Sequence, residues 1–305
     1  MTILAIILAL TIEQFRPLAI SRINDVLAQW SRLLENRFNA GQHSHGVAAW
    51  LVGVALPSVL VLVVQALAAW SNWLLALLLD VAVLYLTMGF RQFSHHYTAI
   101  HVALRSGEIG QARQLLYQWC GIDAERLGSG EVARLAIEEA LVASHRHVFA
   151  PLILFALFGP AGAVFYRLAR HFAQAWAERG GAPDDAFGEF ARRAFAIIDW
   201  LPVRMTAASF AIVGNFEDAV FCWRTQAARW REEASGILLA SGAGALGVRL
   251  GMPIGGDDRF GDRPELGVGD DADADFMQSA VGLVWRTLVM ALLLLTLLGI
   301  ASWAG

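Results

Sequence analysis

HVFAPLILFALFGPAGAVFYRLA, residues 147–169, is the stretch on which the fold turns. It is apolar enough and long enough to cross a bilayer, where about 20 mainly apolar residues suffice. Gly159-Pro160-Ala161-Gly162 breaks it in the middle. The polar run EEALVASHRH, residues 138–147, leads straight into it. A broken apolar span with charges at its mouth predicts a site at the membrane surface rather than a plain anchor.

The surroundings agree. The chain has 305 residues, 57% of them hydrophobic, and a mean hydropathy of +0.51. Further apolar runs lie at 1–20, 46–70, 73–90 and 283–303. The expected fold is all-α: one polytopic bundle of membrane helices, with a helical polar region between spans. A lipid bilayer is its implied partner, and such a bundle is compatible with a homo-oligomer. The start, MTILAIILALTIEQF, lacks a basic n-region and a small-x-small cleavage site, so it reads as a retained first helix. Asn72 marks a tight turn between 46–70 and 73–90, flanked by Trp70 and Trp73 where an aromatic belt would lie. The segment 200–221 contains Pro202, Arg204 and Gly214, and reads as spanning or re-entrant. Gly and Ala crowd residues 236–256 and would let helices approach closely. The polar segments 21–45 and 91–147 carry Arg on what the positive-inside rule makes the cytoplasmic side.

Net charge is −4, which gives no support to nucleic-acid binding. No Lys is present, so a lysine nucleophile, a Schiff base and a P-loop lysine are excluded. Cys120 and Cys222 have no metal-ligand spacing and read as free thiols. His95, His96 and His101 lack the spacings of a zinc helix. Asp80 stands inside an apolar run, either functional or held facing the bundle. Glu138 and Glu139, with Asp123 and Glu125, have the chemistry to hold Mg²⁺ beside a substrate phosphate, or else form a solvated helix face. Asp199 and Arg204 flank Pro202. Arg suits a phosphate or carboxylate because its planar fork donates two parallel hydrogen bonds; the alternative is a salt bridge fixing the bend.

Several strings, in order, resemble the CobD/CbiB family of cobalamin biosynthesis and its relatives, the AmpE membrane proteins. They are Gly107-Glu-Ile-Gly-Gln-Ala-Arg113, Gly121-Ile-Asp-Ala, and Val132-Ala-Arg-Leu-Ala-Ile-Glu138. Ala150-Pro151 with Gly162 and Tyr166 follows, then Trp200-Leu-Pro-Val-Arg-Met-Thr-Ala207, and finally Phe260-Gly261 with Arg263-Pro-Glu-Leu-Gly267. The resemblance implies a bacterial inner-membrane enzyme that joins an aminopropanol (phosphate) to a corrinoid carboxylate as an amide. On that reading Glu138 and Asp199 are catalytic, with Asp199 orienting Arg204. Arg204, Arg263, Glu265 and His147 bind substrate, and Asp123 and Glu138 hold Mg²⁺. Several acids of the family are replaced, for example at Val142-Ala143 and Phe195-Ala196. With Asp199 and the His95-His96-Tyr97 string, those replacements point to a second reading: a non-catalytic, AmpE-like sensor linked to β-lactamase induction.

Overall fold

The structure, a computed structural model, describes residues 2–15, 20–39, 43–179, 186–254 and 263–304. Its helices are α1 (Thr2–Phe15), α2 (Ile20–Phe38), α3 (His43–Trp50), α4 (Leu56–Ser71), α5 (Trp73–Thr87), α6 (Phe90–Arg105) and α7 (Ile109–Cys120). They continue as α8 (Ser129–Ser144), α9 (Ala150–Phe158), α10 (Pro160–Arg179), α11 (Ala186–Val213), α12 (Phe216–Gln226), α13 (Glu233–Leu246) and α14 (Ala274–Ala304). Strands β1 (Val248–Gly251), β2 (Glu265–Leu266) and β3 (Asp270–Asp271) form a small sheet in the order β2-β1-β3. Leu250 pairs antiparallel with Leu266, and Val248 pairs parallel with Asp270. The sheet is an addition to the all-α expectation; its strands are too short to leave a periodic signal.

Among the described residues, four helical stretches are long and apolar enough to cross a membrane: Ser44–Ser71, Ser129–Phe158, Phe187–Val213 and Ala274–Ala301. The protein is an all-α polytopic membrane protein. Leu56, Leu60 and Leu67 on α4, and Leu293 and Leu297 on α14, are exposed as lipid-facing residues are. Hydroxyls on these helices bond back to their own turn, Ser58 to the Val54 carbonyl (2.7 Å) and Thr296 to that of Leu292 (2.7 Å). Each such bond spares a hydroxyl the cost of standing bare in hydrocarbon.

The chain forms two compact units, Met1–Gly89 with His147–Pro202, and Phe90–Arg146 with Val203–Gly305. In the first, Asn72 turns α4 into α5; it accepts from the Leu74 amide (2.8 Å) and caps α5. Gln65 on α4 donates to the buried Asp80 on α5 (2.8 Å). An aromatic core gathers Trp50, Phe172, Trp176 and Phe187, with the Trp176 and Phe187 rings 4.8 Å apart.

The decisive stretch differs from its reading. Gly159 stops α9 with φ +64°, a region open to glycine alone in practice, and α10 packs back along α9. A Cβ on Gly162 would lie 2.2 Å from the Leu154 carbonyl oxygen, so the two arms touch through glycine. Residues 147–169 are therefore a helical hairpin, not a span. The membrane-length helix is Ser129–Phe158, running from α8 through a π-helical turn (His145–Phe149) into α9. Its polar run escaped a hydropathy reading because the helix is internal: 67% of its most apolar window is buried, against 22% for Ala274–Ala301.

The segment 200–221 is likewise redrawn. Pro202 sits inside α11. The break comes at Gly214, and Asn215 caps α12, accepting from the Asp218 amide (3.3 Å). The run read as 1–20 is helical to Phe15; residues 16–19 lie outside the described residues, as does Phe260-Gly261.

The second unit packs α13 against α12, α8 and β1. Its small residues act as expected. A Cβ on Gly244 would come 2.4 Å from the Asp218 carbonyl oxygen, so α12 and α13 meet backbone to backbone. Gly128 is the N-cap of α8, and Glu131 reaches back to the Gly128 amide (2.8 Å).

Candidate functional site

Glu138 lies on α8, nearly three turns beyond the cap, and is buried. One carboxylate oxygen accepts from the Gly251 amide (2.8 Å) at the end of β1. The other accepts from Arg263. Both side chains are enclosed, Arg263 12% and Glu138 8% exposed. The arginine is fixed on two more sides: Nε donates to the Met252 carbonyl (3.3 Å), and the guanidinium lies over the Trp230 ring, 5.0 Å from its centroid. That contact suits a weakly hydrated planar cation.

The backbone beneath is constrained. Gly251 has φ +73°, and a Cβ there would fall 2.1 Å from the Pro264 carbonyl oxygen. Met252, which follows, holds φ +64°, a left-handed conformation that costs a non-glycine residue about 1–2 kcal/mol. Strained residues of this kind concentrate at functional sites.

The start of α13 forms a second polar group in the same unit. Arg204 donates to Glu233 (2.8 Å). Arg146 pairs with Glu232 (3.3 Å), which also accepts from Ser235 (2.6 Å). Acids at a helix N-terminus are favoured by its partial positive charge. His145 Nδ1 and Thr206 Oγ1, both buried, are 2.9 Å apart.

The structure thus brings Glu138 and Arg263 together and gives Arg204 an acidic partner. It does not assemble the expected metal pair. Asp123 turns inward on its own loop, accepting from the Glu125 amide (3.2 Å). It lines an open cleft of about 840 Å³ with Arg113, Gln114, Tyr117 and Glu125. Glu138 already carries a cation and an amide donor. No group of three or more His, Cys, Asp or Glu fit for a metal occurs among the described residues. A Mg²⁺ held by Asp123 and Glu138 does not fit this donor set.

Glu265, on β2, is exposed and stands 3.9 Å from Arg249. His147 and Asp199 belong to the other unit. His147 is part of the π-helical turn. Asp199 is buried and accepts from the Tyr166 hydroxyl (3.1 Å). Asp199 and Arg204 stand five residues apart on α11 and fall in different units.

His96 stacks parallel on Trp119, and burial, with His95 second, holds its pKa below the usual value. Both cysteines are free, as expected. Burial, with Asp218 second, pushes the Cys222 thiol up to about 11; burial, with Glu139 second, raises that of Cys120 further. Sequence reasoning missed Trp230, Gly251, Met252, Glu232 and Glu233. Only the acidic pair carried a signal, standing directly before a small-residue helix.

A family model described as CobD/Cbib protein matches residues 2–284. The cobalamin biosynthesis protein CobD of Stutzerimonas stutzeri is 35% identical over 86% of this chain and 86% of its own length. The protein of the same name from Chromobacterium violaceum is 35% identical over 72% of this chain and 71% of its own. That from Mycobacterium tuberculosis is 29% identical over 58% of each. No solved structure matches the chain. With the family model spanning nearly the whole sequence and the two Glu138–Arg263 strings inside the match, the chain belongs to the CobD/CbiB family.

Proposed function

We propose that the protein works in cobalamin biosynthesis at a bacterial inner membrane, joining an aminopropanol (phosphate) to a corrinoid carboxylate as an amide. The observation that carries the reading is the enclosed Glu138–Arg263 pair, fixed against Trp230 and the Gly251 amide. The relatives named for cobalamin biosynthesis support it over the sensor reading.

In this reading Arg263 binds the anionic end of a substrate. Its Nε and Nη2 are taken, so the remaining Nη1 edge is presented in one fixed direction. Glu138 is a positioning residue, since both its oxygens are engaged in holding Arg263 and the Gly251 turn. Arg204 supplies a second cation beside the start of α13. Amide formation needs the amine nitrogen to attack an activated acyl carbon while the leaving group departs. Fixed cations help by orienting the acyl partner and balancing charge on the departing oxygen.

The test is complementation of a cobalamin auxotroph lacking its own CobD/CbiB protein, supplied with cobyric acid, using wild type, Arg263→Lys and Arg204→Ala. Growth with wild type and loss with either variant, each present in the membrane, is the expected result. No growth with wild type present in the membrane overturns the enzyme reading and moves the weight to a sensor.

A further inference from the structure

One buried cation is left over by this account. Arg134 lies on α8 one turn before Glu138, and only 7% of it is exposed. Nε and Nη2 are enclosed and have no hydrogen-bond partner among the described residues. Among the described residues its ion-pair partner is Glu131, whose Oε1 is 4.0 Å away, and Glu131 already spends its other oxygen on the Gly128 amide. Glu138, on the same helix face, pairs with Arg263 instead.

Arginine side chains stay charged in proteins. A buried charge without a partner is costly, and buried polar groups nearly always find an acceptor. In a helix of membrane length such a residue marks a functional site by default. The neighbouring acids are already engaged by other donors, and an enclosed fork of parallel N–H groups matches two oxygens of a carboxylate or phosphate.

We propose that Arg134 is an oxyanion-binding residue: its guanidinium receives the carboxylate or phosphate group of a ligand entering the second unit. This deepens the amide-forming reading and rests on it for the ligand's role, since that reaction has anionic partners. A soluble substrate and a lipid headgroup offer the same oxygens.

The experiment uses the full chain in maltoside micelles. Thermal unfolding is followed at constant ionic strength in chloride, then with sodium phosphate, sodium acetate, or phosphatidylglycerol mixed into the micelle. Wild type should show a raised midpoint with at least one oxyanion. Arg134→Met should weaken that response about tenfold or more, the loss of charge-assisted hydrogen bonds. Arg134→Lys keeps charge without the fork and should bind more weakly than wild type. In chloride alone Arg134→Met should melt no lower than wild type, because an apolar chain replaces an unpaired charge. A response to phosphate or acetate assigns a soluble ligand; a response to phosphatidylglycerol alone assigns a headgroup. No response in wild type, an equal response in Arg134→Met, or a clear loss of stability of Arg134→Met in chloride overturns the proposal. Complementation is scored separately, so failure of the enzyme reading leaves this result legible.

Discussion

Replacing Glu138 by Ala should be among the most damaging single changes in the second unit. It strands Arg263, whose side chain is only 12% exposed, and leaves the Gly251 amide without its acceptor. Breaking one side of a buried pair costs about 3–5 kcal/mol, and a bare buried amide about 1–3 kcal/mol. Arg263 keeps the Met252 carbonyl and the Trp230 face, so the sum is not reached and about 3–5 kcal/mol is expected. Arg263→Met should fall in the same range, because it leaves the Glu138 charge with one amide donor. The double variant Glu138→Ala/Arg263→Met removes both charges at once and should cost less than either single change. Reversible unfolding in mixed micelles, fitted for all four proteins, measures the cycle. A cost below about 1 kcal/mol for Glu138→Ala, or additive losses in the double variant, would refute the view that the pair is enclosed and coupled.

Other outcomes follow from the same geometry. Gly251→Ala should destabilise by about 2 kcal/mol or more, through the positive φ and the clash with the Pro264 carbonyl, and should abolish complementation. Gly244→Ala should lower the unfolding midpoint by separating α12 from α13, whereas Gly282→Ala, whose Cβ would meet nothing within 4 Å, should be neutral or stabilising by up to about 1 kcal/mol. His96 has a folded pKa below its unfolded value, so the unfolded chain takes up the proton first: stability is full above the usual histidine pKa near 6.5 and falls as pH drops towards the folded value. His96→Gln should flatten that slope in an unfolding series between pH 7.5 and 5.5. Native protein at pH 7.5 should react slowly with iodoacetamide, since burial disfavours both thiolates, and denaturation should restore ordinary rates at Cys120 and Cys222.

The parts of the fold that could be read early are those where composition and environment coincide. The runs 46–70 and 283–303 face lipid, and they lie within Ser44–Ser71 and the helix Ala274–Ala304. The stretch 147–169 misled because hydropathy records apolarity, not direction: Gly159 reverses the chain, while the true continuation lies upstream in residues that protein, rather than lipid, surrounds. Pro202 looked like a breaker, yet α11 passes through it and stops at Gly214. At the site, Glu138 and Arg263 came from matching strings separated by more than a hundred residues. Their contact depends on β1 delivering Gly251 to α8, and no local pattern encodes that. Trp230 had no signal either, since a tryptophan in a polar segment looks the same with or without an arginine above it.

The ends of the connection between β1 and β2 are pinned to each other. Gly251 stands opposite Glu265, the Met252 amide donates to the Pro264 carbonyl (3.3 Å), and Arg263 holds the Met252 carbonyl. Closing a loop costs only about 0.6 kcal/mol more for each doubling of its length. Contacts at the base, rather than the length of the connection, therefore set the cost of holding these ends together.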